Sequence, residues 1–120
     1  PMDLGSEQPL AYTIVFDGGS LGNPGRGYGS FKIFGATDEI AHEQLNYDHI
    51  SLKITNNQAE YRTLIGALEH LSTILGDRAN RAEVTVNGDS ALVINQLQGK
   101  WKVRNADLQP LFEQAKALLR

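Results

Sequence analysis

The chain has 120 residues, 41% hydrophobic and 21% charged, with a formal net charge of −3 and no cysteine. The length suits one domain, and no apolar run approaches the roughly 20 residues of a membrane helix. Without cysteine there are no disulfides and no thiolate metal site, which together with the absence of a signal-peptide pattern fits a cytoplasmic protein. The acidic balance argues against a broad basic face for nucleic acid, so any such binding relies on a local arrangement, such as carboxylates gathered around cations.

Pro1 to Pro9 is polar and aperiodic, so residues 1–10 are expected to be a disordered leader or an expression remnant and 11–120 the domain. Tyr12-Thr13-Ile14-Val15-Phe16 alternates, predicting a strand from about Ala11 to Phe16. Asp17 falls where that strand ends. The segment Gly18-Gly19-Ser20-Leu21-Gly22-Asn23-Pro24-Gly25 reads as a turn. A carboxylate at a strand end beside such a turn suits a hard metal ion and a phosphate. It equally suits a plain hairpin whose aspartate caps its own backbone. A second strand is expected over Gly27–Phe34, a turn at Gly35–Asp38, and a third strand within Ile40–Ile54. Short connections imply an antiparallel meander. His42 and His49 fall in this region and are assigned no role.

From Asn57 to Leu75 the period changes. Tyr61, Leu64, Ile65, Leu68, Leu71 and Leu75 form one helical stripe. Asn56 or Asn57 is expected to cap this helix, and Gly76-Asp77 to end it. Ala82–Asn87 alternates as a strand, and the intervening helix lets it run parallel to the first. Ser90–Leu97 and Asn105–Leu119 read as helices, with Pro110 in the first turns of the second. The predicted fold is α/β with a mixed sheet: three antiparallel strands followed by a parallel strand, and helices packed on the sheet. In such sheets ligands sit at the carboxyl ends of strands.

Asp17 ends the first strand, and Asp89 follows the fourth after Asn87-Gly88. If the strands are parallel neighbours, both carboxylates emerge at one sheet end. Glu60 lies in the first turn of the long helix. Each has an ordinary reading: Glu60 serving the helix dipole, Asp89-Ser90 an N-cap. Together at one sheet edge they make a ligand set of the kind magnesium and manganese prefer. Two such ions can clamp the oxygens of a phosphodiester displacement.

Asp17-Gly18-Gly19-Ser20-Leu21-Gly22-Asn23-Pro24-Gly25, then Thr55-Asn56-Asn57-Gln58-Ala59-Glu60, then Gly88-Asp89-Ser90, resemble in that order the type 1 ribonuclease H family, from about Tyr12 onward. The resemblance implies a ribonuclease H-like mixed sheet flanked by helices. It implies an endoribonuclease that cleaves the RNA strand of RNA–DNA hybrids with two magnesium ions, for which manganese can substitute, leaving 3′-hydroxyl and 5′-phosphate ends. Asp17, Glu60 and Asp89 would be catalytic and would bind the metal, and Gly18 would join them in the metal site. Asn56, with the backbone from Gly18 through Gly19 to Ser20, would sense 2′-hydroxyls. Asn57 joins the nucleic-acid-binding set, and Asn23 would lie near the hybrid backbone. Lys53, Thr55 and Asn105 would hold a phosphate of the DNA strand, which positions the duplex without reading sequence. Lys100-Trp101-Lys102-Val103-Arg104 is the one local basic cluster, in place of a longer basic protrusion. It reads as a contact to the DNA strand through Trp101, or, the preferred reading, as Trp101 packed on the sheet edge with solvated lysines.

The family pattern continues with a further strand, a loop carrying a histidine, and a helix with a fourth carboxylate. This sequence ends at Leu118-Leu119-Arg120, so the domain reads as incomplete by on the order of 20–30 residues. An unpaired sheet edge would then make a dimer or domain swap possible where the family expectation is a monomer. Weaker magnesium binding and reduced activity are also expected. The alternative function is a catalytically impaired module that binds hybrids or double-stranded RNA. A nuclease of related fold acting on DNA is disfavoured by Asn56 and the glycine segment.

Overall fold

The computed structural model describes residues 10–119. The expected leader lies outside the described residues, except Leu10, which opens the first strand. Strands β1 (Leu10–Leu21), β2 (Arg26–Phe34) and β3 (Glu39–Asn46) form an antiparallel meander. Helix α1 (Asn56–Leu75) and a 3-10 segment (Gly76–Arg81) carry the chain back to β4 (Ala82–Gly88), which pairs with β1 in parallel. Helices α2 (Ala91–Leu97) and α3 (Gln109–Leu118) follow. The sheet order is β3-β2-β1-β4, the mixed arrangement the sequence predicts. No described helix is long and apolar enough to cross a membrane.

Alternation along the strands sets the core. Ile14 and Phe16 of β1, with Phe31 and Ile33 of β2, turn to one face and are buried. Every member of the predicted α1 stripe is buried against that face, with Val93 of α2 and Leu108, Leu111 and Ala115 near and in α3 closing the cluster. Val15, Asp17, Tyr28 and Lys32 alternate to the opposite face and are exposed.

Several boundaries differ from expectation. β1 runs through Asp17 and the first glycines to Leu21, so that segment is strand, and the turn is confined to residues 22–25. The glycines serve close approach instead of turning: an added Cβ at Gly27 would lie 2.8 Å from Ile54 Cγ2, and at Gly29 1.9 Å from Thr63 Oγ1. β3 stops at Asn46, and a loop leads to α1. Thr55, not Asn56 or Asn57, caps α1. Its hydroxyl accepts from Gln58 N–H at 3.1 Å while Gln58 Oε1 accepts from Thr55 N–H at 2.8 Å, a reciprocal capping box. Gly76 ends the helix as predicted. α3 begins at Gln109, four residues later than expected, with Pro110 in its opening turn.

Candidate functional site

The in-register pairing of β1 with β4 ends at Phe16 and Gly88. Asp17 and Asp89 are the next residue on each chain. Neighbouring strands lie about 4.8 Å apart, so the two carboxylates emerge side by side at the carboxyl end of the parallel pair. Gly88 permits this closeness: a Cβ there would lie 2.5 Å from the Phe16 ring. Ser90 follows as N-cap of α2, accepting from Val93 N–H at 3.2 Å, and this cap turns the chain away from the sheet directly after Asp89.

Gly18 brings in the third carboxylate. A Cβ at Gly18 would sit 2.7 Å from the carbonyl carbon and oxygen of Ala59 and 2.8 Å from Glu60 N. The opening of α1 therefore rests directly on the β1 backbone beside Asp17. Glu60 is the fifth helical residue, one beyond the first turn, which contains no acidic residue. The dipole explanation for Glu60 is weakened accordingly, because that effect fades within the first turn. Burial raises the Glu60 carboxyl above the ordinary carboxylate range. The Ser90 hydroxyl opposes this, and the charges of Asp17 and Asp89 add to the rise. Glu60 thus feels both aspartates.

Hard carboxylate oxygens of this kind suit magnesium or manganese, and a bound cation would relieve the mutual repulsion at Glu60. Among the described residues, no three His, Cys, Asp or Glu side chains stand close enough to hold an ion as they are. In chemical type, though not in spacing, the three carboxylates are the donors a divalent cation takes.

The β1–β2 tip is tied to the start of α1. Asn56 Oδ1 accepts from Ser20 N–H at 2.9 Å and from the Ser20 hydroxyl at 3.1 Å. Asn23 Oδ1 accepts from Asn56 N–H at 3.0 Å. Gly25 and Ile54 exchange backbone bonds of 2.8 and 2.6 Å. Gly19 is buried, with Tyr28 Oη 2.7 Å from where its Cβ would be. Asn57 is half-buried in the first turn of α1.

The remaining expected residues are less gathered. Thr55 serves as the helix cap, and Lys53 is exposed. Asn105 Oδ1 accepts from Asp107 N–H at 2.7 Å, ordering the turn into α3, and no described hydrogen bond links it to Lys53 or Thr55. Trp101 is 49% exposed. Its backbone N–H bonds Asn95 O, which holds the basic cluster against the end of α2.

A groove of about 640 Å³ is lined by Asp17, Asp89, Val15, Ser30, Asn87, Lys32 and His42 on the strands and by Ile94 of α2. Sequence reasoning missed Lys32 and set His42 aside. Strand alternation counted from Asp17, together with the β1–β2 and β2–β3 registers, is the signal that puts them on the carboxylates' face.

Residues 44–120 match a family model described as reverse transcriptase-like. A bifunctional protein of Mycobacterium tuberculosis is 40% identical over 110 residues, 91% of this chain and 28% of that protein. Its N-terminal RNase H domain, solved as a fusion with maltose-binding protein, has a TM-score of 0.78 at 38% identity, covering 91% of this chain and 73% of that one. A ribonuclease HI of Halobacterium salinarum is 38% identical over 104 residues, 87% of this chain and 48% of that protein. The structure of LC11-RNase H1 in complex with RNA/DNA hybrid has a TM-score of 0.79 at 32% identity, covering 89% of this chain and 75% of that one. The chain spans less than half the length of the two sequence relatives.

Proposed function

This chain belongs to the ribonuclease H family, and from that premise we propose that it is an endoribonuclease hydrolysing the RNA strand of RNA–DNA hybrids. The observation that supports the proposal is the placing of three carboxylates at one end of the parallel strand pair. Asp17 and Asp89 follow the last parallel pair, Gly18 lets the α1 backbone at Ala59 and Glu60 rest on β1, and the charges of both aspartates help raise the Glu60 carboxyl. These three residues would hold two divalent cations, magnesium or manganese, which supply positive charge for the attacking and leaving oxygens of the phosphodiester.

The other parts bind and orient. The Asn56 carboxamide oxygen is engaged by Ser20, so its Nδ2 is the donor turned to a 2′-hydroxyl, the group that separates RNA from DNA. Asn23 fixes Asn56 from the other side and lies near the hybrid backbone. Lys53, Thr55, Asn57, Asn105 and Trp101 supply backbone and stacking contacts, which position the duplex without reading its bases. Cleavage is then largely independent of sequence and leaves 3′-hydroxyl and 5′-phosphate ends.

One observation favours a second reading. Among the described residues, no three acidic side chains stand close enough together to hold an ion as placed, as expected of a module that binds hybrids without cutting them. Matched hybrid, all-DNA and all-RNA duplexes separate the two. A nuclease of this kind cuts only the RNA strand of the hybrid. Hybrid binding with no cut in magnesium or manganese favours the binding module, and cutting of the all-DNA duplex contradicts both.

A further inference from the structure

We propose that Tyr47 and Thr63 are positioning residues for Glu60: their hydroxyls form a one-way hydrogen-bond chain that ends on the Ala59–Glu60 peptide and holds it against β1 beside Asp17. The inference rests on the reading of Glu60 as part of the hybrid-cleaving site and adds the device that keeps it there.

The direction of the chain follows from its atoms. The Thr63 hydroxyl donates to Ala59 O at 2.7 Å. A threonine hydroxyl has one hydrogen to give, so in the 2.6 Å contact between the Tyr47 and Thr63 hydroxyls Tyr47 is the donor and Thr63 the acceptor. Both residues are buried, and in such surroundings hydrogen bonds in series polarise and strengthen one another. The carbonyl at the end of the chain belongs to the peptide that Gly18 approaches: its carbon and oxygen and Glu60 N are the atoms nearest to where a Gly18 Cβ would stand. The peptide that carries Glu60 therefore rests on the β1 backbone and is tied by the Thr63 hydroxyl.

Register explains why these positions suit the task. Gly18 of β1 pairs with Gly29 of β2. Ala59 rests on Gly18, and Thr63, four residues on, rests on Gly29, where a Cβ would collide with its hydroxyl. About one turn of α1 thus lies across a pair of glycines. Bonding to the carbonyl four residues back tends to bend a helix, here in the turn that carries Glu60. Tyr47 supplies the anchor. Its N–H donates to Gly27 O at 3.0 Å, and its carbonyl accepts from Ile50 and Ser51 N–H at 3.0 and 3.2 Å. With Ile54 and Ala59 it forms a small buried cluster apart from the main core. The residue that opens the loop to Lys53 and Thr55 therefore also braces the turn that carries Glu60.

The test compares wild type with Tyr47→Phe, Thr63→Val, the double variant Tyr47→Phe/Thr63→Val, and Thr63→Ser. Thr73→Val is the control, because Thr73 makes the same kind of bond, to Glu69 O at 3.0 Å, on an exposed part of α1. Melting temperature, kcat and KM on a labelled hybrid are measured, with the NOE between Gly18 Hα and the Glu60 amide in metal-free protein. Thr63→Val orphans the Tyr47 hydroxyl and should melt lowest, whereas the double variant removes both polar groups and should recover most of that loss. Its kcat should nevertheless stay down on the order of tenfold with KM unchanged, and its NOE should weaken. Tyr47→Phe should fall between, Thr63→Ser should keep most of the wild-type kcat, and Thr73→Val should match wild type in both kcat and NOE. A double variant with wild-type kcat and NOE, or rates that simply follow melting temperature through the whole set, would overturn the positioning role. Wild type that leaves the hybrid uncut overturns the cleavage reading instead; a weakened NOE in the double variant then still upholds the placing of Glu60 by this chain, and an undiminished one overturns it.

Discussion

Gly18→Ala probes the contact that assembles the site. The new methyl would be placed 2.7 Å from the Ala59 carbonyl carbon and oxygen and 2.8 Å from Glu60 N. All three are backbone atoms in the opening turns of a helix, so no side chain can swing aside. Either β1 shifts or the start of α1 lifts away. Overpacking of this kind costs about 1–3 kcal/mol. At roughly 4 °C per kcal/mol for a domain near this size, the melting temperature should fall by about 4–12 °C. Activity should suffer more than stability. The strain separates Glu60 from Asp17, and a misplacement of about 1 Å costs on the order of 100-fold in rate. Gly35→Ala is the control: its nearest neighbour would be Ile40 Cγ2 at 3.7 Å, and the change should stay within about 0.5 kcal/mol. Thermal denaturation and initial rates on a labelled hybrid read both effects. A Gly18→Ala protein with unchanged melting temperature and unchanged rate would refute the reasoning.

Tyr61 is fully buried and donates its hydroxyl to Gln96, and burial pushes its pKa up to about 12. An unfolded tyrosine titrates near 10, so the unfolded chain loses its proton first and stability falls as pH rises from about 10 to 12. Denaturant midpoints at pH 9 and pH 11 should therefore drop more in wild type than in Tyr61→Phe, and equal drops would contradict the assignment. Asn56→Ala removes the acceptor for Ser20 and the proposed 2′-hydroxyl donor. It should cost about 1 kcal/mol of stability and narrow the preference for hybrid over all-DNA duplex, read by competition binding; an undiminished preference counts against the role. Magnesium should lower the titration midpoint of Glu60, which stands above the ordinary carboxylate range through burial and its aspartate neighbours. Carboxyl-carbon NMR with and without magnesium checks this, EDTA should reverse it, and an unmoved midpoint would remove Glu60 from the ligand set.

The parts of the fold legible in the sequence were those written in periodicity. The α1 stripe from Tyr61 to Leu75, the short alternation of Ala82–Asn87 and the crossover that makes β4 parallel to β1 need only local pattern and chain direction. The glycine segment misled for a physical reason. Glycine marks turns and close contacts alike, and here Gly18, Gly27 and Gly29 answer to Ala59, Ile54 and Thr63, partners distant in sequence. Of these and the tip glycines, Gly22 has the positive φ that a turn demands, +85°. The cap of α1 was misread because Asn56 has the right chemistry but is engaged by Ser20, while Thr55 has Gln58 three residues on to complete the box. Asp17 and Asp89 could be paired from strand direction alone, whereas Lys32 and His42 required the β1–β2–β3 register, which a loop of unknown geometry conceals.

The most direct test of the account is strand-specific cleavage of an end-labelled RNA–DNA hybrid in magnesium, with Asp17→Asn, Glu60→Gln and Asp89→Asn beside wild type. The account predicts that wild type cuts only the RNA strand and that each substitution abolishes the cut while leaving the protein folded and still able to bind the hybrid. Full cleavage by any of the three substituted proteins would contradict the claim that these carboxylates form one reacting site.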